Sequence, residues 1–205
     1  MANGENAMLV VIHGPSGVGK DSVIDELTRD TKVRRAITST TRSPRKNEIH
    51  GVDYYFLSTS EFEKRVKNNE FIEHAKVYED FKGLEIAELK KCIGTGGTTI
   101  IRTDLQGAKF WRNFSEEIII ILLTLEEDSL RERLLDRGSE TSKQLKERLA
   151  KAQEEQAYSN LNDYVIQNND GELKKTVSLI EEILQNESQK PKKQDLYKNL
   201  EDYFI

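Results

Sequence analysis

Gly14-Pro15-Ser16-Gly17-Val18-Gly19-Lys20 matches the pattern G-x-x-x-x-G-K. It stands directly after an apolar run at residues 8–12 and directly before a helical pattern that begins at Lys20. Glycines allow the backbone to turn successive amide N–H groups toward one concavity. The helix that follows points its positive N-terminal end at the same place. A strand, loop and helix in this order form a cradle for the phosphates of a nucleoside triphosphate, with Lys20 as the mobile cation for the β- and γ-phosphates. A glycine-rich turn with an incidental lysine would not need this spacing and this context together. One position departs from the pattern: Ser or Thr is expected after the lysine, where its hydroxyl ligates Mg²⁺. Asp21 stands there instead, with Ser22 one residue later. Ser22 retains a hydroxyl for a phosphate hydrogen bond, whereas Asp21 changes the metal chemistry.

Further β-type runs lie at residues 98–102, 118–123 and 163–166. Each is short and rich in branched apolar residues, as strands buried on both faces of a parallel sheet are. Helical patterns at 20–29, 106–114, 126–136, 142–161 and 172–185 alternate with them. This alternation predicts an α/β fold, a P-loop parallel sheet flanked by helices and built from right-handed crossovers. Residues 34–92 break the rhythm with a strand signal at 36–39, alternation at 54–57, a helix opened by Ser58 or Ser60, and a strand at 71–77. They read as an inserted mixed α+β module. The core is then 1–33 plus 93–185, and 186–205 form a polar tail that docks on the domain, is disordered, or engages a partner.

At 205 residues the chain suffices for one well-cored domain, with charged residues at 33% and apolar ones at 36%. No stretch approaches the roughly 18–20 uninterrupted apolar residues of a membrane span. Residues 1–7 lack the basic and apolar regions of a signal peptide. The single cysteine, Cys92, excludes an intramolecular disulfide and reads as a small buried residue on a helix. A cytoplasmic, non-membrane protein is expected. The formal net charge of −5 argues against general nucleic-acid binding, but not against a nucleotide ligand.

Arg42 and Arg45 lie three apart in a turn-rich segment beside several hydroxyls. Arginine binds phosphate bidentately, so the pair is a candidate second anion site; a solvated charged loop is the alternative on these residues alone. The longer run Thr40-Thr41-Arg42-Ser43-Pro44-Arg45, with Glu48 and Gly51-Val52-Asp53-Tyr54-Tyr55-Phe56, resembles the signature of guanylate kinases. So do Asn69-Glu70-Phe71-Ile72-Glu73, Asp104-Leu105-Gln106-Gly107-Ala108 and Arg137-Gly138-Ser139-Glu140-Thr141. With the phosphate loop, the resemblance spans residues 8–184 in unbroken order.

That resemblance implies ATP-dependent phosphorylation of GMP, with dGMP as a second candidate acceptor and Mg²⁺ accompanying ATP. It makes residues 34–92 the GMP-binding module and about 133–150 a helical lid. Arg42, Arg45 and Tyr54 match contacts to the GMP phosphate, and Thr38, Glu73 and Asp104 match positions that recognise guanine. Arg133, Arg137 and Arg148 match basic residues of the lid and its hinge. Asn168 matches a residue near the adenine of ATP, with a plain turn role as the alternative. The implied catalytic set is Lys20, Arg42, Arg137 and Arg148, in a monomer or homodimer.

Three departures from the family pattern stand out. Lys82 replaces a tyrosine that contacts the GMP phosphate, and an ammonium can bind the same oxygens. Leu84 replaces a serine hydroxyl at the base. Arg102 stands where the strand before Asp104 usually carries an acid, while the loop has gained one at Asp21. These two changes suggest a relocated charge, with Asp21 either pairing with Arg102 across the site or taking over metal positioning through water. A kinase for another nucleotide or for ribose 1,5-bisphosphate is one rival reading, since the Gly-Lys-Asp-Ser variant also resembles that of a ribose-bisphosphate kinase. A non-catalytic guanylate-kinase-like interaction module is the other.

Overall fold

The computed structural model describes residues 7–136 and 142–190, together with Leu196, Leu200 and Tyr203. The all-apolar start forms β1 (Met8–His13), buried along its whole length. The loop follows and leads into α1 (Lys20–Leu27). Next come β2 (Val33–Ala36), β3 (Ser39–Thr40), β4 (Tyr55–Phe56), α2 (Thr59–Lys67), β5 (Phe71–Val77), β6 (Asp80–Glu85) and α3 (Ile86–Ile93). The chain continues through β7 (Thr98–Arg102), α4 (Leu105–Phe114), β8 (Ile119–Thr124) and α5 (Glu127–Asp136). The last described elements are α6 (Ser142–Ala157), β9 (Tyr164–Gln167) and α7 (Leu173–Ser188).

A parallel sheet in the order β2-β7-β1-β8-β9 forms the centre of the molecule. Alternation along β1 divides the core. Met8, Val10 and Ile12 pack with Ile24, Leu27, Ile180 and Leu184 on one face. Leu9 and Val11 pack with Leu89, Cys92 and Trp111 on the other. Because β1 has neighbours on both sides, the loop at its carboxyl end opens at the point where strand order switches, where open α/β sheets bind ligands. Leu196 and Leu200 of the tail are buried in the second of these clusters.

The inserted module is a second, smaller sheet in the order β4-β3-β6-β5. Phe62 of α2 stacks on Phe71 at 4.4 Å and on Phe81 at 5.4 Å beneath it. The Ser58 hydroxyl caps α2 by accepting the Glu61 N–H at 3.2 Å.

The strand expected at 36–39 resolves into two elements belonging to different sheets. Val33–Ala36 is an edge strand of the main sheet paired with β7, so the insertion departs only after Ala36. A pattern with arginines at positions 34 and 35 hides this strand, whose register comes from its partner. β6 is likewise masked by Lys82 and Gly83, and it exists through antiparallel pairing with β5 and β3. β8 and β9 lie one residue later than expected, and α7 runs three residues further, to Ser188.

Candidate active site

Two glycines shape the loop. Gly14 has φ 142°, and a side chain there would run into the Leu123 carbonyl oxygen. Gly19 has φ 94°, and a Cβ would lie 2.5 Å from Asn168 Nδ2. Lys20 Nζ curls back to donate to the Gly14 carbonyl at 2.5 Å and the Pro15 carbonyl at 3.0 Å. Burial lowers the Lys20 ammonium to about 8, with Glu155 opposing that shift and Lys82 and Arg102 adding to it. An arriving phosphate would supply the negative charge that this buried cation lacks.

A cavity of about 360 Å³ joins this loop to the inserted module. On the loop side it is lined by Gly14, Ser16, Gly17, Gly19, Lys20, Asp21 and Ser22. Thr38, Arg42, Arg45, Tyr54, Glu73 and Lys82 line the module side, Asp104 follows β7, and Arg148 enters from α6.

Arg42 is held by the Glu48 carboxylate through two hydrogen bonds, at 2.7 and 2.8 Å, and its guanidinium lies 5.2 Å from the Tyr54 ring centroid. Glu48 also accepts the Arg45 backbone N–H at 2.7 Å, so one acid organises both arginines. Glu73 is buried, and desolvation raises its carboxyl to about 8, with Asp104 adding to the rise and Lys82 opposing it. Asp104 caps α4 by accepting the Gln106 and Gly107 N–H groups at 3.0 and 3.1 Å. Arg148 Nη1 donates to the Ser16 hydroxyl at 2.7 Å, bringing α6 onto the loop.

Not every expected residue reaches the cavity. Pro15 and Val18 belong to the loop without lining the cavity, and Val18 is buried in the core. Arg133 and Asn168 stand behind the loop. Arg133 Nη1 donates to the Val18 carbonyl at 3.2 Å, and Asn168 Nδ2 donates to the same oxygen at 2.7 Å. Both therefore brace the backbone that would hold phosphate. Leu84 is fully buried in the core and is absent from the cavity wall. Arg137 lies outside the described residues.

Asp21 pairs with Arg102, and its Oδ1 also accepts from Arg35 Nη2 at 3.2 Å. Arg35 carries no signal in the sequence, because a charged residue on an edge strand reads as solvated. Among the described residues no group of three or more His, Cys, Asp or Glu could hold a metal alone. Mg²⁺ keeps several waters and is carried by substrate phosphates with one or two carboxylates, so a site for it needs no such group. With one Asp21 oxygen taken by two guanidinium groups, its other oxygen and the Ser22 hydroxyl are the donors left near the loop. The donor set fits a phosphate-borne ion approached through water.

Glu155 and Lys151 are among the cavity residues that escape the sequence reading. Glu155 is buried and raised to about 7 by desolvation, with Lys20 opposing the rise. Lys151 Nζ lies 4.0 Å from the Tyr78 ring centroid. Both follow Arg148 on α6, at i+3 and i+7, which places the three on one helical face; that spacing was the available signal.

The chain matches the family model described as Guanylate kinase over residues 6–187. It is 38% identical over 165 residues to a guanylate kinase of Clostridium tetani, covering 80% of this chain and 79% of that protein. It is 32% identical over 198 residues to a guanylate kinase of Clostridioides difficile, covering 96% of this chain and 94% of that protein. The crystal structure of guanylate kinase from Anaplasma phagocytophilum superposes with a TM-score of 0.73 at 29% identity, covering 91% of this chain and 88% of that one. A phosphate loop facing an arginine pair and an acidic pair across one cavity, together with these likenesses, places the chain in the guanylate kinase family.

Proposed function

We propose that the chain transfers the terminal phosphate of ATP to GMP, giving ADP and GDP. The observation that carries this reading is a shared cavity with a phosphate cradle around Lys20 at one wall and Arg42, Arg45, Glu73 and Asp104 at the other. A GMP phosphate oxygen attacks the γ-phosphorus, the bond to the β,γ-bridging oxygen breaks, and ADP leaves. Phosphoryl transfer of this kind needs positioning and charge neutralisation more than covalent help.

In this reading the loop amides and Lys20 hold the β- and γ-phosphates, with Ser22 as a further donor. Lys20 exchanges its carbonyl partners for phosphate oxygens. Arg42, Arg45, Tyr54 and Lys82 hold the GMP phosphate, with Glu48 fixing the arginine fork before substrate arrives. Glu73 and Asp104 accept from the N1–H and 2-amino group of guanine, with Thr38 beside them. Arg148, already on the loop through Ser16, neutralises charge on the transferring group, and Arg137 is assigned the same task. Mg²⁺, entering with ATP, would neutralise phosphate charge, with the Ser22 hydroxyl as the loop group to meet it. We place the reaction in cytoplasmic purine nucleotide metabolism, with dGMP as a further acceptor.

A kinase for ribose 1,5-bisphosphate would have no use for the acids at the base end, since that sugar carries no base. A non-catalytic module would have no use for a buried lysine in an intact loop. Transfer from ATP to GMP, AMP, UMP and ribose 1,5-bisphosphate, followed by ADP release, separates these readings. GMP should exceed the others by roughly 10²-fold or more in kcat/KM, because buried acids left unpaired by the wrong ligand penalise it. Equal or greater transfer to another acceptor would overturn the assignment.

A further inference from the structure

Arg102 ends β7 with its side chain only 5% exposed, a depth at which a guanidinium needs partners for its charge and its donors. It has three. Nη1 pairs with Asp21, the second residue of α1. Nη2 donates to the Asp53 carbonyl at 3.1 Å. The guanidinium carbon lies 3.9 Å from the Tyr54 ring centroid. Arg35, 9% exposed at its side chain, repeats the link: Nη2 donates to Asp21 Oδ1 at 3.2 Å and to the Asp53 carbonyl at 3.0 Å. Two buried cations thus bridge one carboxylate oxygen of the donor loop's helix to one carbonyl of the acceptor segment.

The acceptor end of this bridge is itself tied down. Asp53 Oδ2 accepts the Ile49 N–H at 2.7 Å, and the Tyr54 carbonyl accepts the Gly51 N–H at 2.9 Å. The Tyr54 ring in turn lies near the Arg42 guanidinium. Among the described residues, Asp21 is the carboxylate that pairs with both bridging guanidinium groups. Without its charge, Arg102 would keep only the Asp53 carbonyl and the Tyr54 ring, and Arg35 only that carbonyl and the Asp25 carboxylate at 3.2 Å.

We propose that Asp21 is a positioning residue for the acceptor: through Arg102 and Arg35 it fixes Asp53 and Tyr54, and so sets the affinity of the GMP phosphate site from the opposite, donor side of the cavity. The inference rests on the assignment of Arg42, Arg45 and Tyr54 to the GMP phosphate. It separates the acid after the loop lysine from the metal role that this position usually has. An acid that served the metal would affect ATP, and an acid that served only stability would affect neither ligand.

The test is calorimetric titration of the full chain with GMP alone, and separately with ATP and Mg²⁺, for wild type, Asp21→Asn, Arg102→Lys, Arg102→Met, the double variant Asp21→Asn/Arg102→Met and Arg42→Ala. Thermal unfolding is followed in parallel. Asp21→Asn should weaken GMP about tenfold, while the affinity for ATP with Mg²⁺ changes less than about threefold; tenfold corresponds to about 1.4 kcal/mol. Arg102→Lys keeps the charge but loses the fork and should weaken GMP in the same sense. The double variant Asp21→Asn/Arg102→Met should lose no more than the larger single loss, because both act through one bridge. If GMP binds Asp21→Asn and Arg102→Lys as tightly as wild type while Arg42→Ala has lost it, the inference fails and the acceptor assignment stands. A loss in Asp21→Asn confined to ATP with Mg²⁺ would also overturn it. If Arg42→Ala binds GMP normally, the acceptor assignment itself is wrong.

Discussion

The Glu48 carboxylate grips the Arg42 guanidinium end-on, accepting from Nη1 and Nη2 at 2.7 and 2.8 Å, six residues along the same loop. The fork is therefore aligned before any phosphate arrives. Substituting Glu48→Gln leaves one acceptor oxygen and no charge, so Arg42 and the Arg45 backbone lose their common anchor. KM for GMP should rise about tenfold while KM for ATP is little changed, the pattern of lost preorganisation at one site. A fall in KM for GMP would instead mean that the carboxylate competes with the substrate.

The same pair has a signature in acid. Burial pushes the Glu48 carboxyl up, but the Arg42 hydrogen bonds, the Arg45 N–H and both nearby positive charges outweigh it and hold it below its ordinary value. A depressed folded pKa contributes stability that is fully present above the unfolded value of about 4.3. That contribution is lost as pH falls through the folded value. Acid unfolding of Glu48→Gln should show a shallower loss below about pH 4.3 than wild type; equal slopes would contradict the pairing.

Glu73 titrates in the opposite sense. Raised to about 8 by burial, it is largely protonated in the empty protein at neutral pH. The N1–H and 2-amino donors of guanine favour the ionised form, so GMP binding near pH 7 should release up to about one proton. Affinity should rise as pH increases from about 6 to 8. Titrations in two buffers of different ionisation enthalpy measure the release, and proton uptake on binding would contradict the role. An acid with a raised folded pKa adds stability below its unfolded value and loses it as pH rises through the folded one. Glu73→Gln should therefore unfold about 2–4 °C higher than wild type at pH 8 while losing GMP recognition.

Behind the loop, Asn168 Nδ2 lies 2.7 Å from the Val18 carbonyl and would meet any side chain placed at Gly19. Asn168→Ala removes this brace and leaves Arg133 to hold the Val18 oxygen alone. The expected cost is about 1–3 kcal/mol of stability with a higher KM for ATP. Stability and KM unchanged in this variant would show that Arg133 suffices.

How far these features can be read from the sequence depends on what maintains each one. The β1–loop–α1 unit is legible because its chemistry is local: an apolar strand, glycines at positive φ and one lysine. β7, β8 and β9 are legible within a residue because strands buried on both faces leave continuous apolar runs. Edge strand β2 is not, since Arg34 and Arg35 give no such run and β7 supplies the pairing. The Asp21–Arg102 pair can be suspected, because two residues depart from one signature with complementary charge. The second guanidinium, Arg35, cannot, since only the fold brings it to Asp21. Asn168 and Arg133 illustrate a further limit: a residue type suited to touching nucleotide can equally brace the loop that does.

The central claim is that this cavity transfers the terminal phosphate of ATP to GMP. Measuring ADP formation with and without GMP, alongside GDP, tests it most directly. The wild-type chain should form ADP and GDP in equal amounts at about 1–100 per second, with ADP formation falling to a small fraction when GMP is omitted. Lys20→Ala and Arg42→Ala should each lose roughly 10²-fold or more while remaining folded. ADP formation that is the same with and without GMP, or that yields no GDP, would contradict the account.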